Sequence, residues 1–260
     1  MAILLFDEAD GIATLTLNQP DKLNPLSDDM LAAMHETLDK IARSNAKVVI
    51  IKASGRAFCA GHDLKEIREK RAGPDKGRAA LATLFDQCAQ MMLKLQALPQ
   101  PVIAQVHGLA TAAGCQLVAT CDMAIAADTA RFGVNGVNIG LFCSTPMVAL
   151  TRNIPRKAAF EMLTTGKFLS ANEATSLGLI NRAVPEADLE AETMELARTV
   201  ASKLGAAVRY GKGAFYAQAA LDTRSAYQLT GDVMIANMSE DDTAEGIAAF
   251  LEKRPPNWPD

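Results

Sequence analysis

Two short stretches of the chain combine small residues with the start of a helix, which is a pattern suited to binding an oxygen anion through the backbone. Residues 57–66 read AFCAGHDLKE and residues 107–114 read HGLATAAG. Small side chains let the backbone approach a ligand closely, and the first N–H groups of a helix have no partner within that helix. Together the two turns predict an oxyanion hole. Taken alone, each turn is equally well interpreted as a tight strand-to-helix connection.

A glutamine follows the second turn. Residues 110–122 read ATAAGCQLVATCD, and the first polar side chain of the helical run is Gln116. A carboxamide does not exchange a proton at neutral pH, so Gln116 is not expected to act as a general acid or base. It can hold a water molecule or a polar acyl group by hydrogen bonds.

The sequence disfavours several other kinds of site. Neither turn contains GxxxxGK[ST] or GxGxxG, which disfavours a phosphate loop and a dinucleotide site. The cysteines are widely spaced without a CxxC pair, so neither a disulfide framework nor a metal site is expected. They are Cys59, Cys88, Cys115, Cys121 and Cys143.

Apolar, β-branched runs predict the strands that position both turns. Residues 3–18 alternate around Asp10 and Gly11, which predicts a hairpin, and a helix is expected to follow a cap near Ser27. Three later runs are almost wholly apolar, as in strands buried on both faces. They are residues 48–54, 101–108 and 121–127.

The remaining segments predict a pocket lining, a loop and a helical end. Residues 132–141, FGVNGVNIGL, are broken by glycine and suit a pocket lining. Residues 65–80 are charged and contain Gly-Pro, which predicts a solvated helix end and a loop. Beyond Pro146 the periodicity is helical, with cap residues at several starts and glycine at several ends, and Ser144 and Thr145 are expected to cap the first of these helices.

The composition predicts one globular α/β domain. The 260 residues are 49% hydrophobic and 22% charged, with a net charge of -4, which disfavours general nucleic-acid binding. The N-terminus lacks the pattern of a targeting segment and no apolar run reaches membrane-spanning length, so no membrane association is expected. With unpaired cysteines, this predicts a cytoplasmic location.

Five segments, taken in order, resemble the enoyl-CoA hydratase/isomerase (crotonase) superfamily, and the resemblance covers essentially the whole chain. They are residues 57–66, 101–126, 132–141, 163–185 and 246–258. The run VNIGLFCSTPMVAL also resembles one poorly understood animal member. The resemblance implies a ClpP/crotonase-like fold of stacked ββα turns, with a core over residues 1–195 and a helical trimerisation region over residues 196–260. It also implies a homotrimer or a dimer of trimers, and acyl-CoA thioester ligands in which coenzyme A is part of the substrate and no separate cofactor is needed.

The resemblance assigns roles to particular residues. The main-chain N–H groups of His62 and Ala113 fall at the oxyanion hole, and a role for the His62 side chain stays an alternative. The expected coenzyme A contacts are Lys22, Leu23, Ala60, Gly61, His62, Asp63, Leu64, Lys65 and, from a neighbouring subunit, Lys253 and Arg254. For the last two, a solvated helix end is the other interpretation. Asn135, Asn138, Cys143, Ser144 and Thr145 are candidates for the acyl end, although most of these suit structural roles. His35, His107 and Asp122 are not assigned catalysis.

The two glutamates of the family's hydratases are missing. The family's GGCE and FGxPE motifs place them at Gln116 and Gly136 in this chain. Without both proton carriers, hydration by the two-glutamate mechanism is expected to be weak or absent. Three functions stay open: an enolate-stabilising enzyme of hydratase/isomerase type, a decarboxylase of malonyl-type CoA esters, and a non-catalytic acyl-CoA binder. The methylmalonyl-CoA decarboxylases, which the AGHD and VNxG stretches also resemble, have their catalytic tyrosine near the position of Cys143.

Overall fold

The computed structural model describes residues 2–258 and contains nine strands and eleven α-helices within them. The strands are β1 (Leu4–Ala9), β2 (Ile12–Leu17), β3 (Val48–Ala53), β4 (Val102–Val106), β5 (Leu109–Thr111), β6 (Met123–Ala127), β7 (Arg131–Gly133), β8 (Phe168–Ser170) and β9 (Arg182–Val184). The helices are α1 (Asp28–Ile41), α2 (Leu64–Arg71), α3 (Arg78–Ala97), α4 (Ala113–Thr120), α5 (Pro146–Asn153), α6 (Arg156–Thr165), α7 (Ala171–Leu177), α8 (Leu189–Ala201), α9 (Gly205–Gln218), α10 (Thr223–Met238) and α11 (Asp241–Glu252). The mixed α/β class predicted from the sequence is confirmed.

The larger sheet has six strands in the order β1-β2-β3-β4-β6-β9. β1 and β2 form the predicted hairpin, and every other pair is parallel. The three apolar runs form β3, β4 and β6, and four consecutive residues of β3 are fully buried. Helices cover both faces of a parallel sheet, which is why these strands lack polar alternation. The parallel arrangement places the turns that follow β3 and β4 at the same edge.

A second sheet of three short strands, β5-β7-β8, lies beside the first. The prediction of an all-helical region beyond Pro146 is wrong in two places, because β8 pairs with β7 and β9 pairs with β6. Each of these strands is three residues long. A run that short carries too little periodicity to be recognised, and only its pairing with a distant strand makes it extended.

Helix α1 begins as predicted. The Ser27 hydroxyl accepts a hydrogen bond from the Met30 N–H at 3.2 Å, so Ser27 is the N-cap. One face of the helix is buried, with apolar residues at intervals of one, three or four positions. These residues are Met30, Leu31, Met34, Leu38 and Ile41.

The charged segment over residues 65–80 is more ordered than the sequence predicted. It contains the eight-residue helix α2, a turn and the first residues of the long helix α3. The Asp75 carboxylate accepts hydrogen bonds from the Gly77 and Ala79 N–H groups at the start of α3. The high charge of the segment did not indicate the start of α3. The apolar face of α3 begins only further along the chain and packs on α1. The buried residues of that face are Leu84, Cys88, Met91, Met92 and Leu95.

The C-terminal helices are attached unevenly. Helix α8 packs on β3, β4 and β6, and the division proposed between residues 195 and 196 falls inside it. The division into a core and a trimerisation region stays a prediction.

Helix α10 has no buried residue. The exposed fraction is 77% for Tyr227 and 68% for Ile235. No helix within residues 2–258 has the length and apolar character needed to cross a membrane.

One buried ion pair joins helix α9 to the core. The Lys212 ammonium donates to Asp122 Oδ2 at 2.7 Å and to the main-chain oxygens of Leu95 and Gln100, each at 2.9 Å. Asp122 also accepts from the Tyr216 hydroxyl at 2.7 Å. Burial lowers the pKa of Lys212, while the carboxylate of Asp122 opposes that shift. The network agrees with leaving Asp122 out of the catalytic candidates.

Replacing Lys212 is expected to destabilise the protein strongly. Lys212→Met leaves the Asp122 charge buried without its ion-pair partner, which typically costs about 3–5 kcal/mol. Urea unfolding measures the change in the free energy of unfolding. Lys94→Met is the matched control, because Lys94 forms a more exposed pair with Asp39, and exposed ion pairs contribute little to stability. Equal losses in the two variants would contradict the anchoring role of Lys212.

Candidate functional site

The two glycine turns are held side by side by main-chain hydrogen bonds. The Cys59 N–H donates to the Leu109 oxygen at 3.1 Å, and the Thr111 N–H donates to the Cys59 oxygen at 3.0 Å. These bonds pair strand β5 with the segment after β3. No local pattern of residues predicted β5, because a three-residue strand next to a glycine resembles a loop. β5 brings the second turn against the first.

Glycine is required where the two turns touch. Gly61 has φ +88°, and a Cβ atom there would lie 2.9 Å from Ala112 Cβ and 3.1 Å from the Ala113 nitrogen. A Cβ atom on Gly114 would lie 2.2 Å from the Cys59 oxygen. Side chains at either position would push the turns apart. The interpretation of these stretches as tight strand-to-helix connections is therefore incomplete, because Gly61 and Gly114 also permit the contact between the two turns.

Two main-chain donors lie unused at this contact. Within residues 2–258, neither the His62 N–H nor the Ala113 N–H donates a hydrogen bond. Ala113 is the first residue of α4, so its N–H also carries the positive end of the helix dipole. Ala112, which precedes it, has φ 50° and ψ -120°, a conformation that costs a residue with a side chain about 1–3 kcal/mol. The fold maintains this strained turn beside the free donors.

The His62 imidazole contacts Leu26 and Phe85. Its Nδ1 atom lies 3.0 Å from the Leu26 oxygen, and its ring meets the Phe85 ring edge-on at 5.6 Å. Since a carbonyl oxygen only accepts, Nδ1 carries the proton and Nε2 has a free lone pair. Nε2 is buried without a partner. Burial lowers the pKa of His62, so the imidazole is neutral at pH 7.

Gln116 lies one turn into α4 and is 6% exposed. Its N–H donates to the Ala112 oxygen at 3.0 Å, which ties it to the strained turn. Its Oε1 atom is buried with no hydrogen-bond partner. Unpartnered buried polar atoms are rare in folded proteins and destabilise by about 1–3 kcal/mol. The carboxamide oxygen therefore has unused hydrogen-bonding capacity.

Gly136 has no room for a side chain. A Cβ atom there would lie 2.5 Å from the Leu141 oxygen and 2.8 Å from Cys143 Sγ. Burial raises the pKa of the Cys143 thiol, so the sulfur is protonated at neutral pH. The local backbone thus leaves no room for a side chain at position 136, where the resemblance predicts the family's second glutamate.

The other residues predicted to line the acyl end differ in their exposure and in their hydrogen bonds. Asn135 accepts a hydrogen bond from the Thr111 hydroxyl at 2.6 Å. Asn138 is exposed and its amide lies beside Gly166. The prediction that the Ser144 and Thr145 side chains cap α5 is wrong, because Thr145 occupies the cap position without a side-chain bond and the Ser144 hydroxyl faces the Phe142 oxygen.

The first loop is fastened to the first turn. The Ala60 N–H donates to the Leu23 oxygen at 3.0 Å, and the Leu26 N–H donates to the Gly61 oxygen at 2.8 Å. Sequence reasoning missed Asn24, whose fully buried amide donates to the Ser54 and Ala57 oxygens at 2.8 Å.

The expected coenzyme A contacts on this side are partly accessible. The side chains of Lys22, Leu64 and Lys65 are exposed beside the first loop and turn. Asp63 caps α2 by accepting from the Lys65 N–H at 2.8 Å. Leu23 thus lies against Ala60, and the coenzyme A contacts of these residues stay a prediction.

Arg254 is already paired within the chain. Its guanidinium donates to both carboxylate oxygens of Glu245, at 2.7 and 2.8 Å, and to Glu252 at 2.6 Å. This bidentate pair lowers the pKa of Glu245 to about 2. Lys253 is exposed, in a left-handed conformation at the end of α11, and no described residue pairs with it. Of the two expected cations, Lys253 is the one left free.

The cysteines are all buried and unbonded. Within the described part of the chain, no group of three or more His, Cys, Asp or Glu side chains is arranged to hold a metal ion.

Comparison with known proteins gives a consistent result. The family described as enoyl-CoA hydratase/isomerase matches residues 7–260. Human "Enoyl-CoA hydratase domain-containing protein 3, mitochondrial" is 48% identical over 252 residues, covering 96% of this chain and 82% of that protein. "2,3-Dehydroadipyl-CoA hydratase" of Escherichia coli K12 is 30% identical over 264 residues, covering 99% of each.

Solved structures show the same fold. An enoyl-CoA hydratase from Mycobacterium smegmatis is 51% identical with a TM-score of 0.96, covering 99% of each chain. Human enoyl-CoA hydratase domain-containing protein 3 is 46% identical with a TM-score of 0.94, covering 99% of this chain and 100% of that one. The crotonase fold and the resemblance to one animal member are confirmed. The human relative's name places that protein in mitochondria, which does not match the cytoplasmic location predicted here; that location stays a prediction.

The burial of His62 predicts a pH dependence. Its pKa in the folded state lies below the usual histidine value of about 6.5 that applies when unfolded. Between these two values the unfolded chain binds a proton that the folded chain does not, so the His62 contribution to stability is lost as pH falls below about 6.5.

Two measurements check this. A proton NMR titration is expected to give His62 a pKa below 6.5, and His62→Gln is expected to reduce the loss of unfolding free energy between pH 7.5 and pH 5.5. His35→Gln serves as the control, since His35 is partly exposed on α1. A normal or raised pKa for His62 would show that its ring is not buried as described.

Proposed function

Because the chain belongs to the enoyl-CoA hydratase/isomerase family, we propose that it binds an acyl-CoA thioester and stabilises the enolate of that thioester between the N–H groups of His62 and Ala113. The observation that supports the proposal is that a Cβ atom on Gly61 would lie 3.1 Å from the Ala113 nitrogen, so the residue before His62 lies against the residue that carries the other unused donor. Donors held in advance at the position of a developing oxyanion contribute several kcal/mol to transition-state stabilisation.

Hydration by paired carboxylates does not fit this site. Residues 101–121 and 129–160 contain no aspartate or glutamate. These segments include α4 and the pocket-lining segment, where the family's hydratases keep their proton carriers. Gln116 and Gly136 occupy those positions, and neither side chain transfers a proton at neutral pH. The proposed enolate-stabilising donors are therefore not accompanied by the carboxylates that would activate water.

Decarboxylation of a malonyl-type CoA ester needs an oxyanion hole but no side chain that acts as a base. The bond between the α carbon and the carboxylate carbon breaks, its electron pair becomes the enolate, and carbon dioxide leaves. A proton from water then adds to the α carbon. No carboxylate base takes part, so the absence of carboxylates from these segments favours this second candidate. A non-catalytic acyl-CoA binder is the third, supported by the same losses.

The coenzyme A portion is proposed to lie along the first loop and turn. Lys22 and Lys65 are exposed beside the main-chain donors and supply positive charge for phosphate groups. Lys253 of a neighbouring subunit would complete this surface in a homotrimer or a dimer of trimers. The exposed apolar residues of α10 and α11 support such an assembly, because α10 buries none of its residues within one chain. A cytoplasmic location is retained as part of the proposal.

Three assays on the purified protein separate the candidates. Crotonyl-CoA tests hydration, methylmalonyl-CoA tests decarboxylation, and a calorimetric titration with butyryl-CoA tests binding. Release of carbon dioxide with little hydration supports decarboxylation. Tight binding with neither ester turned over supports the non-catalytic binder. Absence of binding by every ester would overturn the proposed acyl-CoA site.

Restoring the glutamates is not expected to restore hydration. Gln116→Glu supplies one carboxylate where two are needed, and a general acid or base contributes about 100- to 10,000-fold. Adding Gly136→Glu introduces a side chain that meets the Leu141 oxygen and the Cys143 sulfur, so the loop must move. Crotonyl-CoA hydration, followed by loss of enoyl absorbance, is expected to stay slow in the single and the double variant. Fast hydration by Gln116→Glu alone would refute the assignment of position 116.

The charge on Lys253 is expected to matter for coenzyme A affinity. A lost charged hydrogen bond weakens binding by about 10-fold or more, and Lys253→Ala is expected to show this in a calorimetric titration. Arg254→Ala is expected to act indirectly, through loss of its pairs with Glu245 and Glu252. Arg43→Ala, an exposed cation at the far end of α1, is the control. Unchanged affinity in both C-terminal variants would remove these residues from the site.

A further inference from the structure

We propose that Glu245 is a positioning residue that folds residues 254–258 back along α11 as a strap, and that this strap fixes Lys253 on the proposed coenzyme A surface. Arg254 then belongs to the strap and does not contact the ligand. The inference rests on the proposed function, in which Lys253 of a neighbouring subunit binds the coenzyme A portion. The family resemblance assigned a ligand contact to Arg254 and no role to Glu245.

The Glu245 carboxylate holds the strap at two places. Its Oε1 atom accepts hydrogen bonds from Arg254 Nη1 at 2.7 Å and from the Asn257 main-chain N–H at 2.8 Å. Its Oε2 atom accepts from Arg254 Nη2 at 2.8 Å. The pair with Arg254 is bidentate, which gives an ion pair a fixed geometry as well as strength. One side chain of α11 therefore fastens the strap near its beginning and again near its end.

The indole ring of Trp258 gives the strap a second kind of attachment. A Cβ atom on Gly246 would lie 2.7 Å from Trp258 Cη2 and 3.2 Å from Trp258 Cζ3, so the ring lies directly against α11 at that glycine. Trp258 is partly buried, although residues 251–257 before it are exposed. The ring lines an apolar groove together with Phe250 of α11 and Leu204 at the start of α9. Apolar burial thus adds to the ionic attachment.

The backbone on both sides of Arg254 has little freedom. Pro255 and Pro256 have a φ fixed by their rings, so the strap loses less conformational entropy on docking than an ordinary segment would. Lys253 has φ 56° and ψ 39°, a left-handed conformation that is uncommon for a residue with a side chain. The Arg254 N–H donates to the Ala249 oxygen at 3.0 Å and closes the helix end. Lys253 is therefore held between the end of α11 and the strap.

An isolated ion pair at the surface would not be enough to hold such a segment. Exposed pairs contribute little to stability, because water screens the charges and two flexible side chains must be ordered. Here the same carboxylate also accepts a main-chain N–H, and Arg254 Nε donates to Glu252 Oε2 at 2.6 Å. Groups that share one network are lost together. Loss of the Glu245 carboxylate is therefore expected to release the whole strap.

A strap and a direct phosphate contact by Arg254 predict opposite effects of the same substitution. Glu245 competes with any phosphate for the guanidinium, and its charge repels an anion. If Arg254 contacted phosphate, Glu245→Gln would free the guanidinium and tighten binding. If the strap positions Lys253, Glu245→Gln releases the backbone and weakens binding. The direction of the change in Kd therefore separates the two roles.

A calorimetric titration of the full chain, in its native oligomeric state, with butyryl-CoA measures that direction. Glu245→Gln is expected to raise Kd about 3-fold or more, because Lys253 must then be ordered by the ligand itself. Asp241→Asn removes the same charge from an exposed side chain of the same helix and is expected to change Kd by about 2-fold at most. Where the wild type turns over an ester, KM for that ester is expected to rise in Glu245→Gln with kcat unchanged.

Fluorescence tests the strap without a ligand. Trp258 is the only tryptophan of the chain, so indole emission reports on this position alone. Glu245→Gln and Arg254→Met are each expected to shift the emission to longer wavelength and to increase quenching by acrylamide, and the double variant is expected to go no further. Asp241→Asn is expected to keep the wild-type spectrum. Gly246→Ala, whose methyl group would meet the ring, is the positive control for a displaced indole.

Each outcome bears on a different claim. Tighter or unchanged binding of butyryl-CoA by Glu245→Gln would overturn the positioning role. A wild-type emission spectrum in both Glu245→Gln and Arg254→Met would overturn the strap itself, whether or not the ligand binds. Failure of the wild type to bind butyryl-CoA would overturn the proposed function and the role of Lys253 in it, while the emission spectra would still decide whether the strap exists.

Discussion

The close contact between Gly61 and the Ala113 nitrogen is the constraint on which the rest of the site depends. It requires a residue without a Cβ atom at position 61, a short strand to hold the second turn, and a strained backbone at Ala112. The parallel sheet supplies the framework, because it delivers the ends of β3 and β4 to one edge. If the turns separated, the two main-chain donors would no longer be able to address a single oxygen atom, as the proposed oxyanion hole requires.

Backbone donors and side-chain acids have different requirements, so the proposed oxyanion hole does not depend on the two glutamates that the sequence predicts to be missing. An N–H group is present at every residue except proline, so a backbone site needs only the correct conformation and small neighbours. Proton transfer needs a particular side chain with space around it. At Gly136 both the side chain and the space are missing, since the Leu141 oxygen and Cys143 sulfur occupy the region. In the proposed site, binding of a thioester therefore does not require the groups that hydration of an enoyl ester requires.

Sequence patterns predicted the elements whose signal is local. The fully buried strands β3, β4 and β6, the hairpin and the Ser27 cap follow from runs of apolar residues and from turn chemistry within a few positions. The short strands β5, β8 and β9 were missed because pairing with distant residues makes them extended. Helix α3 was missed at its start, where charged residues and Gly-Pro precede an apolar face that becomes evident only further along.

The sequence alone determined the family and the two glycine turns, and it predicted the replacement of both glutamates, because these are properties of residue type and order. Tertiary structure decided what those residues face. It left Gln116 Oε1 and His62 Nε2 without partners, bonded Asn135 to Thr111, closed the space at Gly136 and engaged Arg254 with Glu245 while leaving Lys253 free. Each of these depends on side chains separated by several to dozens of positions, and hydrogen bonds form or fail within a few tenths of an ångström. That distance is set by packing of the whole chain, which no local pattern of residues contains.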